Sequence, residues 1–194
     1  MKMKDLRLHN QEQKQEDKSQ ARLDYENALE FLKNKEAAQA ANMFHNALIG
    51  FEQEKDINGI ANATDKLGDI CAERREFDKA LQHYDRVISI CQDQGDSISV
   101  FSIDKKKAKL HADCGKHEQA INMYLDILDQ YQAMRNPQGA VDTLETLAQV
   151  YLDAGKREKA ADCYRTVASI HEKYKHTRHA ENFMKKADEL VASA

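Results

Sequence analysis

Metal ligation is the first chemistry that residue types in this 194-residue sequence suggest. His111, Cys114 and His117 form H-x2-C-x2-H, three side chains of the kind that bind borderline divalent ions, at close spacing. The bland reading of this group is the stronger one, because both histidines recur at positions of a repeat where other residues serve packing, and no fourth ligand is evident. His171, His176 and His179 form a second group, with the last two separated by one helical turn or by a joint between helices. They read as a solvated, partly cationic end. His171-Glu172 begins like the zinc-protease signature, but the position four after the first histidine is Lys175, so that motif fails. No metal, and no other cofactor, is assigned from the sequence.

Nucleophilic and phosphate chemistry fare no better. The chain contains no G-x-G-x-x-G, no G-x-x-x-x-G-K-[ST] and no G-x-S-x-G, so it has neither a phosphate-cradling loop nor a nucleophile elbow of those kinds. Cys71, Cys91, Cys114 and Cys163 are 20, 23 and 49 residues apart, which is neither a redox pair nor a paired zinc pattern. Scattered carboxylates do not make a general acid and base without a pocket to shift them. No catalytic residue is assigned, and the protein is not expected to be an enzyme. The densest positive charge is Lys105, Lys106, Lys107 and Lys109, whose plain reading is a solvated helix face.

The elements that carry these residues follow from composition and periodicity. The chain is 41% hydrophobic and 32% charged, with 7 Gly, 1 Pro and no Trp, a balance that suits one soluble, almost wholly helical domain. With 29 Lys+Arg against 33 Asp+Glu the net charge is −4, so nucleic acid is not expected as a partner. No apolar run approaches the 18 or so residues needed to cross a bilayer, so no membrane insertion is expected. The first ten residues lack the apolar core of a secretory signal, and the cytoplasm is the expected location.

A period of 40 residues runs through the chain. Ala40, Ala80, Ala120 and Ala160 are each followed four residues later by Phe44, Tyr84, Tyr124 or Tyr164, and then by Ala47, Val87, Ile127 or Val167. These positions share one helix face, so they predict a buried stripe. A second register at the same period holds Ala28, Gly68, Ala108 and Ala148, with Phe31, Cys71, His111 and Tyr151 three residues on. Small residues there would let two helices approach while the larger ones fill the space beside them. Gly115 and Gly155 sit where a helix would end on a left-handed residue, whereas Lys35 and Arg75 at the equivalent places would cost on the order of 1 kcal/mol each unless the turn there differs. Asn136-Pro137, Asp96-Ser97 and Thr177 offer caps for the next helices.

Leu67-Gly68, Cys71, Phe77, Ala80 and Tyr84, with Leu147-Ala148, Tyr151, Gly155, Ala160 and Tyr164, make the sequence resemble the tetratricopeptide repeat family over about residues 21–190. The 40-residue period is that of the long-helix type found in kinesin light chains and in bacterial scaffolds and regulators. The resemblance implies an all-α fold in which antiparallel helix pairs stack into a right-handed α-solenoid. Four units are expected near residues 21–56, 57–96, 97–136 and 137–176. Residues 1–20 would form a charged extension, flexible or helical, and residues 177–194 a capping helix and tail, with Ala180, Phe183, Met184, Ala187 and Leu190 on one face.

The family also implies a function. Its first helices line a concave groove that receives an extended peptide or a partner helix. Carried over position by position, the groove would be lined by Tyr25, Leu29 and Leu32; Asp65, Asp69 and Glu73; Lys105, Lys109 and Asp113; and Glu145, Gln149 and Asp153. That order is apolar, acidic, basic and acidic, and it would reward a ligand of complementary order. Tyr25, Leu29 and Leu32 would be the affinity anchors, unless residues 1–20 or a second copy of the chain covers them. The expected protein is thus a non-enzymatic adaptor with a protein or peptide partner, and homo-oligomerisation is left open. The alternative is a peptide-sensing regulator that changes its superhelical pitch on binding.

Overall fold

The computed structural model describes residues 18–192. Among them are nine helices and no strand: α1 (Gln20–Lys33), α2 (Ala37–Glu54), α3 (Ile57–Glu73), α4 (Phe77–Asp93), α5 (Ser97–Asp113), α6 (His117–Ala133), α7 (Pro137–Asp153), α8 (Arg157–Lys173) and α9 (Thr177–Ala192). Most of the extension read at residues 1–20 therefore lies outside the described residues, which pick it up at Lys18. Ser19 there starts α1 by accepting a hydrogen bond from the Arg22 N–H at 3.3 Å. Asp56 and Asn136 do the same for α3 and α7, accepting from Gly59 and Gly139 at 2.9 Å. Pro137 at the first position of α7 fixes a helical φ without wasting a donor. Thr177, read from the sequence as a cap, is instead the first residue of α9, and His176 stands before it.

Every joint between these helices closes in the same way. Lys35, Lys55, Arg75, Gly95, Gly115, Arg135, Gly155 and Lys175 have φ between 53° and 77°. The following N–H reaches back to a carbonyl of the preceding helix, as from Glu76 to Cys71 at 2.8 Å and from His176 to His171 at 3.0 Å. This closure satisfies carbonyls that the helix end would otherwise leave bare. The turns at Lys35 and Arg75 do not differ to avoid the left-handed conformation; these residues adopt it, as do Lys55, Arg135 and Lys175. A left-handed residue every 20 positions fixes where each helix stops.

The chain divides into two compact units, with the boundary between Ser97 and Ile98. In the first, α1 packs on α2, α2 on α3 and α3 on α4. Its core runs through Ala28, Phe44, Ala47, Phe51, Ala63, Leu67 and Ile70. Gly68 lets α3 lie against the ring of Tyr84, since a Cβ there would stand 2.7 Å from Cε1. In the second unit, Phe101 and Ala108 of α5 join Tyr124 and Ile127 of α6, Leu144 and Leu147 of α7, and Cys163 and Val167 of α8 in one cluster. Ala40, Ala80, Ala120 and Ala160 are all 0% exposed, and of the aromatics that follow them Phe44, Tyr84 and Tyr124 are buried while Tyr164 is half-buried. On α9, Ala180 and Ala187 are buried while Phe183 and Leu190 pack against the cluster of the second unit. Met184, expected on that face, is 40% exposed, because the buried face follows positions 180, 183, 187 and 190 and leaves it at the edge.

Candidate interaction surface

All twelve residues expected to line a groove lie on α1, α3, α5 or α7, the first helix of each pair, and none is buried. They are not equally free to meet a ligand. In the first unit the apolar trio is committed to packing. The Tyr25 ring meets Phe44 edge-on with centroids 5.3 Å apart and lies 6.2 Å from Phe51. Leu29 and Leu32 are half-buried against the same core. On α3, Asp69 accepts a hydrogen bond from the Tyr84 hydroxyl at 2.9 Å, and Lys66 stands 3.7 Å from Asp65 and 3.6 Å from Asp69. Burial first, and then Asp69 beside it, drive the Tyr84 phenol far above its ordinary pKa, which keeps the proton that makes this bond. Glu73, one turn further, is exposed.

In the second unit Lys105 is held between two aromatic rings. Its ammonium lies 4.9 Å from the centroid of the Phe101 ring and 5.7 Å from that of Tyr131, and it donates to the Tyr131 hydroxyl at 3.2 Å. Phe101 and Tyr131 are themselves edge-to-face at 5.0 Å. The lysine therefore works as a bridge between α5 and α6 as well as a surface charge. Lys109 pairs with Asp113 at 2.5 Å along α5, and both remain exposed. Burial, with Asp113 nearby, pushes the Tyr124 phenol up to about 12. On α7 the Gln149 amide donates to Asp153 at 2.8 Å, both again exposed, and Glu145 is half-buried.

On α3, α5 and α7 the upper members Asp65, Asp69, Lys105 and Glu145 are half-buried, and the lower members, Glu73, Lys109, Asp113, Gln149 and Asp153, are exposed. That difference in depth is invisible in the sequence, where the sets in α3, α5 and α7 occupy the same three positions of the 40-residue period. Two further features of the second unit were not anticipated. A cavity of about 440 Å³ opens among α6, the start of α7 and α8, with Leu128, Tyr131, Leu144 and Ile170 as its apolar wall and Arg135 and Lys173 among its lining. Reasoning from first helices alone passes over it, since it is lined chiefly by second helices. The other is the mutual ring contact of His171, His176 and His179, whose sequence spacing groups them without showing that the rings meet. Burial, then His179 and His176, hold the His171 imidazole below its ordinary value, with Glu145 pulling the other way.

The other histidine group is local. Cys114 donates its thiol to the His111 carbonyl at 3.4 Å, back onto the last turn of α5. Among the described residues no group of three or more His, Cys, Asp or Glu side chains is placed so that it could hold a metal ion. The four cysteines are free thiols. Among the described residues no helix is long and apolar enough to cross a membrane.

The family profile of the soluble NSF attachment proteins matches residues 6–135, two thirds of the sequence. The chain belongs to the soluble NSF attachment protein family. A tetratricopeptide repeat profile matches residues 99–187, so the repeat read from the alanine and aromatic spacing stands. No curated protein sequence matches significantly. Among solved structures, a Podosopora anserina putative kinesin light chain of nearly identical TPR-like repeats aligns with a TM-score of 0.68 at 13% identity, over 90% of this chain and 94% of that one. BtubC from P. vanneervenii aligns at 0.57 and 16% identity, over 86% and 77%. A Rap protein complexed with competence and sporulation factor aligns at 0.61 and 15%, over 90% of this chain but 52% of its own. The chain thus spans about half the length of that Rap protein. At these identities the likeness is one of fold: an all-α solenoid of antiparallel helix pairs.

Proposed function

We infer that the protein is a non-enzymatic adaptor that holds a peptide segment or partner helix against the faces of its first helices. The observation that carries this reading is the gradient just described. Every first helix keeps partly or fully solvated side chains at the same repeat positions, although the second helices beside them bury Ala40, Ala80, Ala120 and Ala160 completely. A face that a stack leaves open in each repeat is a face on which an extended partner can be read along its length. The exposed charges at Glu73, Lys109, Asp113 and Asp153 set register and association rate, while half-buried Tyr25, Leu29 and Leu32 offer apolar edges without becoming free anchors. The name of the family, an attachment protein, agrees with a protein partner. The cytoplasmic assignment belongs to this proposal, consistent with four free thiols.

The test is affinity copurification from the native cell with a variant that spares the core. Glu73→Lys/Lys109→Glu/Asp153→Lys changes only exposed groups, so circular dichroism should match the wild type. Loss of a protein from the variant alone supports the groove; equal recoveries from both place the partner elsewhere. The sensing alternative would instead show as a change in scattering dimensions when a peptide binds.

A further inference from the structure

The cavity among α6, the start of α7 and α8 joins an apolar wall, Leu128, Tyr131, Leu144 and Ile170, to two exposed cations, Arg135 and Lys173. No carboxylate is among its described lining residues, and neither cation is paired with one elsewhere among the described residues. Asn136 spends its side-chain oxygen on the Gly139 N–H and keeps its amide donors unspent. Its volume of about 440 Å³ falls within the about 300–1,000 Å³ of pockets that hold a ligand.

The first unit carries the equivalent positions 80 residues earlier and treats them differently. Glu52 and Arg86 stand where the second unit has Gln132 and Thr166, and they join α2 to α4 in an ion pair. Asp56 and Asp93 stand where it has Asn136 and Lys173, and Lys55 where it has Arg135. The first unit thus sets three carboxylates among its cations at these places, while the second has cations alone and no bridge from α6 to α8 there. An apolar wall beside unpaired positive charge fits an occupant that is both apolar and anionic. Tyr174, also in the lining, is 55% exposed and carries apolar surface outward, beyond what a single small molecule in the cavity would cover.

We propose that this cavity docks an acidic peptide segment of a partner protein, one large apolar side chain entering against Leu128, Tyr131, Leu144 and Ile170 while neighbouring carboxylates meet Arg135 and Lys173. The apolar side chain supplies most of the affinity by leaving water, and the two exposed cations select the flanking sequence and speed association. Affinity therefore falls with added salt. The site is lined chiefly by second helices and uses none of the twelve first-helix residues, so it is separate from the groove.

The test is selection of a random twelve-residue peptide library on the full chain, followed by fluorescence anisotropy with the enriched peptides. The expected result is a class of peptides with leucine, isoleucine or phenylalanine beside aspartate or glutamate. That class should bind Arg135→Glu/Lys173→Glu at least tenfold more weakly than the wild type, and likewise Ser169→Tyr, which fills the cavity from an exposed position. It should bind Glu73→Lys/Lys109→Glu/Asp153→Lys as the wild type does, which separates this site from the first-helix faces. The proposal is overturned if no enriched peptide loses affinity for Arg135→Glu/Lys173→Glu, if the peptides that do are basic or wholly polar, or if octanoate binds in the cavity and no peptide does. It is also overturned if sedimentation shows the wild type dimeric and Arg135→Glu/Lys173→Glu monomeric, since a second copy of the chain would then be the occupant.

Discussion

Replacing Gly139 with alanine should destabilise the second unit, although alanine is the better helix former. Gly139 lies in the first turn of α7, and a Cβ built on it stands 2.4 Å from both Cδ1 and Cε1 of Tyr131. Ordinary contact begins near 3.4 Å, so ring or helix must give by about 1 Å. The ring is not free to do so, because it meets Phe101 edge-on and its hydroxyl accepts from Lys105. Overpacking of this kind costs about 1–3 kcal/mol, against about 1 kcal/mol gained from helix propensity. The net loss expected for Gly139→Ala is up to about 2 kcal/mol, read from urea midpoints by circular dichroism. The decisive comparison is made in Tyr131→Ala, where the obstacle is gone. There Gly139→Ala should stabilise by up to about 1 kcal/mol. If the substitution has the same sign and size in both backgrounds, the Tyr131 contact does not set the spacing of α6 and α7.

Three further outcomes follow from the packing and the joints. Lys55→Gly should gain about 0.5 kcal/mol, the relief of a left-handed side chain (φ 59°) less the unfolded-state entropy of glycine, while Gly115→Ala (φ 77°) should lose about 1 kcal/mol; reversed signs in chemical denaturation would contradict the joint geometry. Tyr124→Ala should cost about 3–5 kcal/mol by emptying a buried site, against less than about 0.5 kcal/mol for exposed Lys185→Ala, and equal midpoints would show the stripe to be misplaced. Burial, with Arg86 and His45 adding repulsion, lowers the His83 pKa below its ordinary 6.5, so the unfolded chain binds the proton more readily than the folded one. Its contribution is present above about 6.5 and is lost as pH falls from there to the folded value, and His83→Gln should shrink that loss in denaturation midpoints compared at pH 7.5 and 5.

The repeat was legible because packing imposes it. Ala40 and its three equivalents are buried where any larger residue would hold two helices apart, so period, partner aromatics and helix lengths all follow from composition at fixed spacing. The joints were half legible: Gly115 and Gly155 announce a left-handed turn, but Lys55, Arg135 and Lys175 adopt it without any residue signature, held by the hydrogen bonds around them. Spacing says which helix face Tyr25, Leu29 and Leu32 occupy and not how deep they sit, and all three are half-buried. Phe44 and Phe51 on the facing helix hold the Tyr25 ring at that depth. The membership in the attachment-protein family was not legible from the repeat, since alanine and aromatic spacing reports stacking that many solenoids share. The triangle of His171, His176 and His179 needed coordinates, because the left-handed Lys175 between them turns the chain back and brings residue 171 to residue 179.

The adaptor reading rests on the first-helix faces, and site-specific photo-cross-linking examines them directly. A benzophenone side chain is placed in turn at exposed positions 109 and 153 on α5 and α7, and at exposed positions 126 and 162 on α6 and α8. Each protein is irradiated in its native cell, and adducts are identified by mass spectrometry. The account predicts one partner protein cross-linked from positions 109 and 153 and absent from 126 and 162. Adducts to that partner from 126 and 162 alone, or equally from all four, would contradict it.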